Sequence, residues 1–330
     1  MNIMAIPRKQ LVDKDKPGFY HCTNRCVRRA YLCGTDEYSG KNYDHRKIWF
    51  ERRMFELCNI FAVDIFAFAI MDNHYHLVLY IDPIVPQTWS DAEVAERWLQ
   101  AYPGNLDLPK NAERRELVKR VLMSNDQKLD LYRKRLGNLS WFMARLNEPL
   151  AKTSNFEDSC TGKFWEGRFS SQALLDEAAV LSCMTYVDLN PVRAKITQKI
   201  EESNHTSIQQ RIRKLSSNNT IEISSTGLES IIGRTGVKKL SISVEEYIQL
   251  VEWTGRSIIY PKKGSIPANL PSLFERYRLK QKNWLDQITN YAVNYYYFVG
   301  HITKIEKKAK QLNVRSLRGS NAAKQLYFQN

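Results

Sequence analysis

A chain of 330 residues is long for one ordinary domain and comfortable for two, and 43% hydrophobic with 25% charged residues is a globular mixture able to build a substantial core. The net charge of +14 favours polyanions such as nucleic acid, although a solvated basic surface would carry the same charge. It is unevenly spread: residues 1–200 carry 29 Lys and Arg against 25 Asp and Glu, and residues 201–330 carry 20 against 10. No window reaches the roughly 18 uninterrupted apolar residues of a membrane span. The richest one, Asp64 to Ile81, is broken by Asp72, Asn73, His74 and His76. The N-terminus MNIMAIPRKQ lacks the apolar core of a signal peptide, which predicts a cytoplasmic protein with no membrane partner. The six cysteines form no C-x-x-C pair, a pattern of reduced thiols rather than of a disulfide framework or a zinc site.

In chain order, GFYHCTNRCV (Gly18 to Val27) reads as a β-branched and aromatic strand after a Pro-Gly turn, and KIWFERRMFELCNIFA (Lys47 to Ala62) places apolar residues at helical spacing. DIFAFAIM, the turn residues Asp72 and Asn73, and HYHLVLYI then predict a β-hairpin. Residues 83 to 135 read as an inserted helical segment, with Ser90 and Glu93 in capping-box spacing. LSWFMARLNEPLAK (Leu139 to Lys152) predicts a further helix and GKFWEGRFSSQALL (Gly162 to Leu175) a further strand. Asp176 caps a helix that Pro191 ends near Asn190. This order predicts an α+β fold, an antiparallel sheet with helices on one face and the other face open. A Ser, Asn and Thr-rich stretch marks residues 201–230 as a linker. It divides a domain at 1–200 from a basic helical region at 231–330, in which KIEKKAKQLNVRSLRGSNAAKQL has the pattern of two short helices around a turn and suggests DNA binding.

The chemistry concentrates in MDNHYHLVLYI (Met71 to Ile81). In a strand His74 and His76 share one face about 6.5–7 Å apart while Tyr75 points the other way, a spacing that a metal ion can bridge and that two packed histidines would also show. Tyr186 and Asn190, four residues apart, project from one face of the capped helix. Two neutral imidazoles and an amide oxygen can hold a divalent cation with positions left open for phosphate oxygens, and a tyrosine oxygen beside that ion can attack phosphorus. Asn190 precedes a proline, and a helix end explains it as well.

FAIMDNHYHLVLYI, GKFWEGRF, TYVDLNPVRA and the early YHCTNRCV together resemble the single-tyrosine HUH transposases, in particular the REP-associated tyrosine transposases of the insertion-sequence type and their domesticated relatives. The resemblance covers residues 15 to 200, interrupted by 83–135. It implies a ferredoxin-like antiparallel sheet carrying the histidines, His74 and His76 as metal ligands with Asn190, and Tyr186 as the nucleophile. It further implies cleavage and transfer of single-stranded DNA near REP-like hairpins through a 5′-phosphotyrosine, with Mg2+ or Mn2+ as cofactor, in a monomer or homodimer associated with a bacterial nucleoid. Tyr75 is bulkier than the aliphatic residue usual between the two histidines. Arg25, Lys163, Trp165 and Arg168 are the candidate DNA contacts, by phosphate pairing or base stacking. A regulator that grips hairpins without cutting, and a zinc phosphoesterase using metal-bound water, are the competing readings.

Overall fold

The computed structural model describes residues 6–27, 33–36, 40–105, 108–217, 227–234, 238–260 and 266–328. Helix α1 (Arg8–Leu11) precedes β1 (Gly18–Arg25), α2 (His45–Ile60) and the strands β2 (Val63–Ile70) and β3 (His74–Ile81). Helices α3 (Asp91–Ala101), α4 (Ala112–Met123) and α5 (Asp126–Leu136) occupy the inserted segment, followed by α6 (Leu139–Glu157), β4 (Ser170–Leu174), α7 (Glu177–Asp188) and α8 (Asn190–Arg193). The last third holds α9 (Ser207–Ser217), the pair β5 (Leu228–Glu229) and β6 (Lys239–Leu240), α10 (Val244–Ile259), α11 (Leu270–Arg276) and α12 (Gln281–Thr289). It continues through α13 (Tyr291–Asn294), β7 (Phe298–Val299), α14 (Ile302–Gln311) and α15 (Ser320–Leu326). Among the described residues no helix is long and apolar enough to cross a membrane.

Local signals produce local structure. The hairpin turns at Asp72 and Asn73, where the Met71 N–H donates to the His74 carbonyl at 2.9 Å. Ser90 and Glu93 form the reciprocal capping box of α3, and the Asp176 carboxylate accepts the Ala179 N–H at the start of α7. Pro149 sits inside α6 without ending it. A proline there donates no N–H to the carbonyl four residues back, and that carbonyl, Arg145 O, instead accepts from Arg53 Nε at 3.4 Å.

The main sheet runs β2-β3-β1-β4-β7. Its first four strands pair antiparallel, but β7 joins β4 in parallel, so the sheet is mixed rather than antiparallel throughout. The expectation of helices on one face is also overturned. One face packs Tyr75, Leu77 and Phe68 against Phe50 and Met54 of α2 and Phe142, Met143 and Leu146 of α6. The other packs Phe66, Val78 and Leu174 against α7 and helices of the last third. The physical reason is that β2 is buried along its whole length, with a register shift between Ile65 and Ala67 that lets it fill both cores. Each large apolar side chain left in water would forgo roughly 1.5–3 kcal/mol.

Two further boundaries differ from expectation. The strand predicted over 162–175 is confined to Ser170–Leu174. Gly162 adopts a φ of +106°, Trp165 makes an isolated bridge with Cys26, and regular pairing resumes only at Ser170, which faces Thr23. Of the expected linker, 218–226 lie outside the described residues, and Ser207–Ser217 are helical. Ser207 Oγ accepts the Phe68 N–H at 2.9 Å, and Thr206 and Ile232 bridge Ala69 and Ile65, so segments beyond residue 200 cover the edge of β2.

Candidate active site

Strand alternation and register assemble a polar patch at one end of an otherwise apolar sheet face. Arg25 lies opposite His74 and Thr23 opposite His76 on β1 and β3. Gln172 of β4 lies opposite His21 and Ser170 opposite Thr23. At the other end the same face carries Phe19, Val78 and Leu174, which pack with α7 and its neighbours. Tyr75, pointing to the opposite face, packs at 4.6 Å on Phe50 and donates its hydroxyl to Asn147 Oδ1 at 2.7 Å. Its ring therefore belongs to the core, as the alternation predicted.

Helix α7 brings the phenol to the imidazoles. The Tyr186 ring stands edge-on to His76 with centroids 5.6 Å apart and edge-on to His21 at 6.1 Å. Tyr291 stacks on Tyr186 at 4.6 Å and 21°, and the Arg193 guanidinium lies 4.6 Å from the Tyr186 centroid, held by donation to the Thr289 carbonyl at 2.7 Å. His74 and His76 are perpendicular, 5.0 Å between centroids. A cleft of about 290 Å3 opens over them, lined by His74, His76 and Tyr186 and, on its rim, by Arg25, Glu166 and Arg168. Arg25 and Glu166 are 4.0 Å apart and both more than half exposed, a contact too loose to hold the arginine from a ligand.

Hydrogen bonding and burial set the state of the rings. His21 Nδ1 lies 2.7 Å from Gln172 Oε1, and His21 Nε2 lies 2.9 Å from His76 Nδ1. His74 Nδ1 lies 2.6 Å from Asn73 Oδ1. Burial lowers the pKa of His21 to about 4, partly opposed by the Gln172 hydrogen bond. Burial, reinforced by the Arg25 charge, lowers His74 to about 4. His76 is pushed well below the ordinary histidine value, first by burial and then by the neighbouring His21, His74 and Arg193. All three imidazoles are therefore neutral at pH 7, the form that ligates metal.

The remaining predicted residues divide. Arg25 and Arg168 line the cleft. Trp165 donates its indole N–H to the Asn147 carbonyl at 3.0 Å and packs edge-on to Tyr75 at 5.7 Å, so its ring is committed to the interior on the far side. Lys163 is exposed and is not among the residues lining the cleft. Asn190 is buried and does not line the cleft either. Helix α7 ends at Asp188 and Asn190 opens α8 one residue later, with Leu189 between them at φ −88° and ψ 3° and the Leu189 N–H still bonded to the Thr185 carbonyl.

Sequence reasoning did not single out His21, Gln172, Arg193 or Tyr291. The alternation of GFYHCTNR does place His21 on the face of Thr23 and Arg25, a signal available without coordinates. Nothing local to Tyr291 announces a partner 105 positions earlier.

His74 and His76, neutral and lining the cleft, are the residues that could hold a metal ion here. Among the described residues no cluster of three or more His, Cys, Asp or Glu forms a cage. An ion here would have two imidazoles from the protein and its other positions for phosphate and water oxygens, as catalysis on a phosphodiester needs.

No family model matches the chain, and no curated protein matches it. Among solved structures it is similar to one described as the structure of the REP-associated tyrosine transposase bound to a REP hairpin. That chain is 12% identical, and the match covers 73% of this chain and 97% of that one at a TM-score of 0.38. At that score the likeness carries no argument about residues or chemistry, which rest on the cleft itself.

Proposed function

We propose that this chain is a metal-dependent single-stranded DNA endonuclease and strand transferase of transposase type. The observation that carries the reading is the meeting, in one cleft, of the Tyr186 phenol with the His74 and His76 imidazoles under two cleft arginines. His74 and His76 would hold the ion, and Arg25 and Arg168 would hold the strand by its phosphates. A bound Mg2+ or Mn2+ would supply neutralisation of the phosphate charge that builds up during attack. Tyr186 attacks the scissile phosphorus, the new bond runs from the phenolic oxygen to phosphorus, and the bond to the 3′ oxygen breaks. The phenol proton ends on the released 3′-hydroxyl, leaving a 5′-phosphotyrosine whose bond energy is kept for rejoining. Asn190, four residues beyond Tyr186, would add an amide oxygen to the ion. The hairpin as substrate comes from the motif resemblance.

The test is a labelled single-stranded hairpin incubated with Mn2+ and resolved by denaturing electrophoresis. A slower covalent band is expected, lost on chelation, restored by Mn2+, and weakened at least about 100-fold in His74→Ala. Binding without that band supports the non-cutting regulator, a reading to which the tight packing of Tyr186 between Tyr291 and Arg193 lends itself. Free ends without a covalent species point to the water-using phosphoesterase.

The arginines have a separate signature. Arg25→Ala and Arg168→Ala should each weaken hairpin binding across unrelated sequences and lower the slope of log affinity against log salt by about 1. An unchanged slope in both variants would remove them from the phosphate path.

A further inference from the structure

We propose that Gln172 and His21 form a relay that fixes which ring nitrogen His76 presents to the cleft, making both of them positioning residues for the cation. The inference rests on the metal-dependent reading above and extends it to residues outside the ligand set. Its basis is the directionality of two consecutive hydrogen bonds. A carbonyl oxygen only accepts, so the 2.7 Å contact between Gln172 Oε1 and His21 Nδ1 requires the proton on Nδ1 of His21. The ring is buried and hemmed in by aromatic side chains, with no acid beside it among the residues in contact, so its other nitrogen, Nε2, is a bare acceptor. The 2.9 Å contact of that nitrogen with His76 Nδ1 then requires an N–H on His76, which leaves His76 Nε2 with its lone pair free.

His74 arrives at the same state by a shorter route. Asn73 Oδ1, 2.6 Å from His74 Nδ1, accepts its proton and leaves His74 Nε2 bare. The adjacent ligand imidazoles are thus both set to offer Nε2, although the Nε2–H tautomer is the one that free histidine side chains prefer in water. His21 itself is excluded as a third ligand, because both of its nitrogens are engaged. Reversing the Gln172 amide would reverse the whole chain: its N–H would donate to His21 Nδ1, His21 Nε2–H would donate to His76 Nδ1, and the His76 proton would stand on the nitrogen that the cation needs. An amide side chain two hydrogen bonds away therefore decides whether His76 can ligate.

The readout independent of activity is the 15N spectrum of the histidine side chains in metal-free protein at pH 7, together with Mn2+ affinity from water-proton relaxation. Wild type should show His21, His74 and His76 all protonated at Nδ1. His21→Phe, which keeps an aromatic ring but offers no acceptor, should move His76 toward the Nε2–H form and weaken Mn2+ binding about 10- to 100-fold. Gln172→Met, at a half-buried position that tolerates an isosteric change, should shift both readouts in the same direction if His21→Phe does not fold. An Nε2–H tautomer of His76 in the wild type, or unchanged tautomers and affinity in both His21→Phe and Gln172→Met, overturns the relay while leaving metal binding in place. A wild type that binds no Mn2+ overturns the metal reading itself, and the relay with it.

Discussion

Tyr186→Phe should abolish the covalent protein–DNA band while leaving hairpin affinity nearly unchanged. The substitution removes one oxygen and keeps the ring, so the stack on Tyr291, the edge contact with His76 and the Arg193 contact all survive. The cleft arginines proposed to hold the strand, Arg25 and Arg168, are untouched, so the electrostatic part of binding should persist. What disappears is the proposed nucleophile, and neither of the other tyrosines packed around the site is placed to replace it. Tyr291 is fully buried, and burial pushes its hydroxyl well above the usual range. Tyr75 faces the opposite side of the sheet with its hydroxyl given to Asn147. The measurement is a paired one, a denaturing gel for covalent attachment and a native binding titration on the same preparations. A Tyr186→Phe protein that still becomes covalently labelled would take Tyr186 out of the chemistry, and a parallel collapse of binding would make the ring a structural element of the DNA site.

Much of this site was readable from residues close together in sequence, because the forces that set it are local. The Asp72-Asn73 turn, the alternation that puts His74 and His76 opposite Tyr75, and the Asp176 and Ser90 caps each depend on a handful of adjacent positions. Convergence of Tyr186 on His76 was legible only through motif order, since nothing in either segment fixes a contact across 110 positions. The rest was illegible for the same reason. The covering of the second sheet face is decided by apolar surface on Phe66, Val78 and Leu174 that must find partners, and the partners come from α7 together with the last third of the chain. The early end of regular pairing before Ser170 follows from Gly162 and Trp165 acting against the aromatic, strand-like composition of 162–175.

The largest effect on stability is expected at Asp188, two residues beyond the candidate nucleophile. Its carboxyl is fully buried and accepts from Ser207 Oγ at 2.5 Å, from the Ile208 N–H at 3.0 Å and from the Tyr247 hydroxyl at 2.5 Å, which ties the end of α7 to the starts of α9 and α10. Asp188→Ala leaves the buried Ile208 N–H and Tyr247 hydroxyl without an acceptor and Ser207 Oγ with only its 3.4 Å contact to the Phe68 carbonyl, and at about 1–3 kcal/mol for each unsatisfied group the loss should reach about 3 kcal/mol in chemical denaturation. A change within about 0.5 kcal/mol would show that the clasp carries no net stability. The pH dependence separates this group from the cleft. Burial pushes Asp188 up to about 6, against the opposing hydrogen bonds from Ser207 and Tyr247, from an ordinary value of 3.8. A carboxyl whose folded pKa exceeds its unfolded one stabilises the fold fully below about 4, and that contribution is lost as pH rises through 6. His21 and His74 run the opposite way: their folded values of about 4 lie below 6.5, so their contribution is lost as pH falls from 6.5 to 4. In the wild type the two effects partly cancel across that window. Asp188→Asn, which keeps an acceptor of similar shape but removes the titration, should therefore lose stability more steeply than wild type on acidification from pH 6.5 to 4, and parallel profiles for the two proteins would show that Asp188 does not titrate there.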